Sequence, residues 1–364
     1  MNTFNKNYNE NDRMIIVHDL NLARKILSSD NFKVPNLGDF LGKVEVATGD
    51  DFTVTKRFIG VSPFFLDGPR HAELRMLAMQ FFDQKNMAKW DTFIHLTITH
   101  IMDDLRDKSN IELTADIAIP IFIKLAQPML GLYPRDPEYF FSKAMKLQQL
   151  VEPMQSLKRI KQFESDLSNL VNSLDCSATS NTPLSGAEGL PTFIEMMADS
   201  GEFDDKELSP FAITLFAAIA PLAQTAVNMI AYIYTHHTGV APSTADFTAQ
   251  FDHYLAKAIA PKYIHRTAIE SIMLDSQWVE AGKTVLIDIQ GLTDSASPDM
   301  ACAHRMGFGF GKHFCVGAAL SKKVLKTLVP SFLSQFPTLN PGDADINEEN
   351  LIAHEYRYFH LHTH

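Results

Sequence analysis

The chain has 364 residues, 46 % apolar and 21 % charged, with 32 Lys+Arg against 43 Asp+Glu for a formal net charge of −11. That mixture excludes disordered and fibrous classes, and the acidic balance argues against a nucleic-acid or anionic-membrane binder. Heavy use of Phe (26 residues) and Met (15) suits a deep core or an apolar pocket. Length alone allows two domains or one large one.

In chain order, residues 1–13 are polar and Asn-rich without a signal-peptide pattern, which predicts a flexible start and a cytoplasmic protein. Ile15 to Val17 reads as a short strand, and Asp19 caps a helix through Ser28. Residues 38–65 are Gly-punctuated and read as loop-rich. Pro69 opens a helix to about Phe82. Trp90, Phe93, Leu96, Ile101 and Leu105 recur near period 3.6 and predict a helix over 87–107. Further helices fit 119–132, 137–151, 154–174 and 191–200.

From Pro210 to Ala245 there is no Asp, Glu, Lys or Arg, and 211–234 is long enough to span a bilayer. Pro221, Gln224, Thr225 and Asn228 at its centre, and an acidic flank at 204–207, favour a buried core helix over a membrane span. A helix over 251–260 follows. After Pro261, β-branched runs such as Thr284-Val285-Leu286-Ile287 predict short strands, a last helix covers 316–332, and 352–364 reads as strand or tail. The predicted fold class is mostly α with minor β (α+β), one domain over 1–364, not a doubly wound α/β sheet.

Cys176, Cys302 and Cys315 show no C-x-x-C spacing, so neither a disulfide framework nor a zinc site is indicated. The sharpest local feature is Phe308-Gly309-Phe310-Gly311-Lys312-His313-Phe314-Cys315-Val316-Gly317. Its glycines permit a bent backbone and close approach of a flat ligand. Cys315 falls just before a helix, whose positive end favours a thiolate. From these residues alone Cys315 can be a nucleophile, an axial metal ligand or a buried structural cysteine.

This stretch resembles the cysteine-ligand loop of the cytochrome P450 superfamily, F-G-x-G-x-H-x-C-x-G, at every fixed position. The resemblance implies that Cys315 is a catalytic residue and the proximal ligand of haem b iron. It implies that Phe308 packs beside the sulfur, that Gly309, Gly311 and Gly317 let the loop turn under the porphyrin, and that His313 contacts the cofactor. The segment L-D-G-P-R-H-A-E-L-R at 66–75 looks like the family's D-x-P-x-H-x-x-x-R helix start. His71 and Arg75 then share one helical face and hold a haem propionate. Arg266 stands where the family has a second propionate-binding Arg, and Arg305 replaces a usual His and serves the same carboxylates. V-E-A-G-K-T-V at 279–285 resembles the family's I-P-A-G-x-x-V strand pair.

Departures from the family pattern are specific. The buried helix lacks the G-x-[DE]-T acid–alcohol pair. Aligning on Thr225 and Asn228 puts Gln224 at the acid, and a one-residue shift puts Ala223 there, so the carboxylate is missing in either register. Gln224 and Thr225 remain the catalytic candidates on this helix, although an amide cannot relay a proton near neutral pH. Pro221 removes a backbone donor and is expected to distort the helix. The E-x-x-R motif is absent, with Tyr254 and Lys257 at its positions, and nothing in 286–307 matches A-N-R-D-P.

The implied function is a P450-type monooxygenase or oxidative tailoring enzyme for a small or medium, largely apolar metabolite of secondary metabolism. Peroxide-driven oxygenation, dehydration or isomerisation is the first alternative, and a haem-binding partner protein without catalysis the second. Lys322, Lys323 and Lys326 form a candidate docking patch for an acidic ferredoxin or flavodoxin. The family's chains are longer, so an open substrate-access side, or one covered by a second subunit or partner, is expected.

Overall fold

The computed structural model describes residues 14–151, 156–174, 185–237, 239–274, 277–295 and 304–363. Cys176, Cys302 and residues 1–13 therefore lie outside the described residues.

Strand β1 (Met14–Val17) leads into α1 (Leu20–Ser28), which is capped by Asp19 accepting the Leu22 N–H at 2.8 Å. After β2 (Phe32–Lys33), the span expected to be loop-rich holds two helices, α2 (Leu37–Thr48) and α3 (Thr53–Gly60). Helix α2 is capped locally by Asn36 and ends at Gly49 with φ 73°. Helix α3 has no side-chain cap of its own. Its Val54 and Thr55 amides donate to Glu164, distant in the chain, at 2.9 and 2.8 Å. A cap supplied from so far away leaves no local trace, which is why composition misled there.

Helix α4 (Pro69–Phe82) starts at Pro69 as expected. The next predicted helix is broken at Trp90 into α5 (Gln84–Lys89) and α6 (Asp91–Leu105). Buried Trp90 packs on Phe81 and Phe93, with ring centroids 5.8 and 5.5 Å apart. Strand β3 (Asn110–Glu112) precedes two π-helical turns (Thr114–Ala118, Ile121–Ala126) and α7 (Gln127–Leu130). Helix α8 (Pro137–Ala144) passes into a 3-10 turn, and α9 (Leu157–Ser173) is tied back to it through buried Asp166, which accepts from Lys143 at 2.8 Å. Helix α10 (Phe193–Ser200) follows.

The long apolar run forms α11 (Asp205–Ala217) and α12 (Ala220–His236). Together, residues 206–236 are long and apolar enough to cross a membrane, but 78 % of their apolar 18-residue window is buried inside the protein. Helices α13 (Thr244–Ala249) and α14 (Phe251–Ala258) complete this part. Strands β4 (Tyr263–Ala268) and β7 (Thr284–Asp288) flank a hairpin of β5 (Ile272–Leu274) and β6 (Gln277–Val279). Then come α15 (Ile289–Ser295), α16 (Ala318–Gln335), β8 (Asn340–Ile346) and β9 (Tyr356–His362).

The main sheet has the order β1-β7-β4-β2, with β1 parallel to β7, and a second has β3-β9-β8. Helices dominate, as the sequence predicts. One large apolar cluster joins α4, α6, α10 to α12, α14 and α16, and a second sits under the four-stranded sheet. A third, Leu41, Phe52, Ile59 and Ile160, joins α2 and α3 to α9. Helix α12 packs against both α14 and α16, where Tyr234 meets Phe332 with ring centroids 6.1 Å apart.

Candidate active site

Two 3-10 turns, His304–Phe308 and Gly311–His313, fold the cysteine loop. The Gly309 amide donates to the Met306 carbonyl at 2.9 Å, Phe314 to Gly311 at 3.1 Å, and Cys315 to Phe308 at 2.7 Å. Gly309 (φ 75°) and Gly311 (φ 66°) occupy the left-handed region. A Cβ on Gly311 would lie 2.8 Å from the Leu27 carbonyl oxygen, so α1's backbone demands a glycine there. Cys315 sits partly accessible on this loop, three residues before buried Ala318 opens α16. Burial pushes its thiol above the ordinary range, against a bond from the Gly317 amide and the charge of Arg75. Desolvation at this position thus opposes the helix-end preference for a thiolate.

Behind the loop, α4, β4 and the loop itself bring together four of the residues predicted as cofactor contacts. The rings of His71 on α4 and His313 meet at a tilt of 33°, with centroids 4.1 Å apart. His313 Nε2 meets Asp67 Oδ1 at 3.0 Å, the Val34 amide donates to Asp67 Oδ2 at 2.8 Å, and Lys312 approaches Asp67 at 3.6 Å. Burial alone would raise the Asp67 carboxyl, but these partners hold it below the usual carboxylate range. Burial lowers His71 to about 4, with the neighbouring His313 adding to the shift, so its ring is neutral near pH 7. His313 is lowered by burial despite Asp67.

Arg266 is buried on β4, donates to the His265 carbonyl at 2.7 Å, and is pushed down to about 10 by burial. Arg75 is also lowered by burial, and the acidic group acting on it is Cys315. Asp67 was part of a motif in the sequence but was not singled out as the group that organises this cluster. Its position before the helix-opening Gly-Pro was the available signal. The side chain of Arg305 lies outside the described residues.

On α12 the expected distortion at Pro221 takes the form of a break in the long helix. The interruption falls at residues 218–219, and Pro221 occupies the first turn of the new helix, where a missing N–H costs nothing. Thr225 donates its hydroxyl to the Pro221 carbonyl at 2.6 Å and accepts the Ala260 N–H at 3.1 Å. Asn228 donates to the carbonyls of Ala258 and His354 at 3.2 and 3.0 Å. Both residues therefore staple α12 to the turn after α14, a contact no sequence signal announced. Thr214, Ala218, Pro221 and Gln224, spaced four, three and three, form an accessible stripe on the otherwise buried stretch 210–231. Gln224 Oε1 is enclosed and has no hydrogen-bond partner.

At the absent E-x-x-R, Tyr254 is buried and stacks on Phe247 at 5.5 Å, with its hydroxyl 3.2 Å from His237 Nε2. An aromatic cluster thus replaces the expected carboxylate. Of the three lysines read as a docking patch, Lys323 pairs with Asp91, and Lys322 lies over the buried Phe308 ring at 5.5 Å. Lys326 is exposed and lies over Phe251 at 4.7 Å.

No protein-family model matches the chain. It is 25 % identical over 310 residues to cytochrome P450 105A3 of Streptomyces carbophilus, covering 79 % of this chain and 74 % of the relative. It is 21 % identical over 296 residues to the 20-oxo-5-O-mycaminosyltylactone 23-monooxygenase of Streptomyces fradiae, covering 76 % and 67 %. Among solved structures, CalO2 superposes with a TM-score of 0.79 at 13 % identity, covering 100 % of this chain and 93 % of that one.

Proposed function

We propose that this chain, which belongs to the cytochrome P450 superfamily, is a haem-thiolate monooxygenase acting on a small or medium, largely apolar metabolite. The residues present fit haem b. Arg266 is buried and Arg75 half-buried, and Asp67, the carboxylate that acts on Arg266, is already taken by His313, Lys312 and the Val34 amide. Buried cations in that situation call for further anions, which the two porphyrin propionates supply. Cys315 offers sulfur on a loop held in shape by backbone bonds and would hold the iron as its thiolate.

When bound, the haem iron supplies the oxidative chemistry. The chain's residues then divide the remaining work. Cys315 ligates, the Gly317 amide and Arg75 offset charge on its sulfur, and Arg75, Arg266 and His71 orient the cofactor's carboxylates. The accessible stripe running from α11 into α12 would face substrate with Ala218 and Pro221 as its apolar part, and Thr225 holds α12 against Ala260. The observation that carries the reading is the cysteine loop's closure, with Cys315 donating to Phe308 at 2.7 Å beside Arg75. In the intact protein, reduction under CO should give the strongly red-shifted Soret band of a thiolate ligand. Its loss in Cys315→Ser supports the assignment, and its absence from folded, haem-loaded wild type overturns it.

One observation favours a second mode of action. No carboxylate stands at position 224, and the Thr225 hydroxyl is committed to Pro221, so neither side chain is a ready proton source. Peroxide-driven oxygenation, dehydration or isomerisation asks less of this helix. Turnover with O2 and a ferredoxin system, with peroxide alone, and with neither separates these cases. An electron donor of the ferredoxin or flavodoxin type would meet Lys326 as the freely exposed lysine of the patch on α16.

A further inference from the structure

We infer that Gln224 is a specificity-determining residue whose amide oxygen recognises a hydrogen-bond donor on an otherwise apolar substrate. This inference rests on the haem-thiolate reading. Its ground is the state of each polar group along the accessible stripe of α11 and α12. Thr214 donates to the Pro210 carbonyl at 2.8 Å, and Ala218 and Pro221 offer no side-chain polar atom. Thr225, beside the stripe, has its hydroxyl donating to Pro221 and accepting from Ala260. Gln224 alone on the stripe carries an enclosed acceptor with no partner. Asn228 Oδ1, one turn on, is also unmet, but that side chain is buried and fastened by two backbone carbonyls, so it cannot turn toward a ligand.

A buried carbonyl left unmet is unfavourable, and an entering donor removes that cost. A hydroxyl or amide N–H placed against Gln224 Oε1 gains affinity, while the matching methyl ether leaves the oxygen unmet and crowds it. The substrate class follows: a molecule largely apolar, matching the wall of Ala218 and Pro221, with a single donor group.

The test uses the full, haem-loaded chain. The reduced CO band is recorded first; if it is absent, the haem-thiolate reading fails and this inference falls with it. Medium-chain linear and alicyclic alcohols and their methyl ethers are then titrated, following the Soret shift. Wild type should bind alcohols about tenfold or more tighter than the ethers, equivalent to about 1.4 kcal/mol. In Gln224→Met the preference should fall to about twofold or less. In Gln224→Glu it should persist, because a carboxylate also accepts. Equal binding of both series, survival of the preference in Gln224→Met, or its loss in Gln224→Glu would each overturn the inference. So would the failure of both series to shift the band in a sample that shows the CO signature.

Discussion

Thr225→Val isolates what the α12 hydroxyl does. The substitution keeps the side-chain shape but removes the bond to the amide of Ala260, which is itself fully buried (0 % exposed). An enclosed N–H without an acceptor costs about 1–3 kcal/mol. The Pro221 carbonyl loses only its second bond, since helical position pairs it already. The net expectation is about 2 kcal/mol of lost stability, roughly a thirtyfold shift in the folding equilibrium. Thermal melts of the haem-loaded protein should therefore fall by a few degrees, with Thr225→Ser close to wild type. Product formed per O2 consumed should change little, because a hydroxyl engaged on both sides is a fastener and not a proton donor. A variant as stable as wild type but strongly uncoupled would refute this reasoning, since it would show the hydroxyl free to serve the reaction.

Gly311→Ala forces a Cβ to 2.8 Å from the Leu27 oxygen at φ 66°, at a cost of about 1–3 kcal/mol. The haem-to-protein ratio should drop, whereas Gly317→Ala, whose Cβ would sit 3.8 Å from the Cys315 sulfur, should be milder. For Asp166, burial raises the carboxyl, yet bonds from Lys143 and Gln162 hold it below its ordinary 3.8. A depressed folded value means stability present above 3.8 and lost as pH falls through the lower folded value. Asp166→Asn should thus be about 2 kcal/mol less stable near neutrality, with the gap to wild type closing in acid melts. A gap independent of pH would assign the effect to packing.

The cysteine loop was legible because its closing hydrogen bonds and its left-handed glycines are all local. Ten consecutive residues carry the left-handed glycines, the thiol and the start of a helix. The opening of α4 at Pro69 and the cap at Asp19 were legible for the same reason. Helices α2 and α3 were not. The cap of α3 comes from Glu164 across a large sequence separation, and their apolar faces are satisfied only by α9. The break at Trp90 was also hidden, because period 3.6 continues through an interruption that costs little when an indole is buried against Phe81.

By itself, the amino-acid sequence determined a helix-dominated α+β chain with a thiol on a glycine-bent loop, and a buried helix lacking the carboxylate its relatives' pattern would place there. Those are properties of residue type and short-range spacing. Only tertiary structure decided which groups share an environment. It set Asp67 at the centre of the His71, His313 and Arg266 cluster and opposed the helix-end preference of Cys315 through burial. It also committed Thr225 to Ala260 and left the Gln224 oxygen unmet. Desolvation and hydrogen-bond completion depend on neighbours from distant parts of the chain, and one sequence read along its length does not specify them.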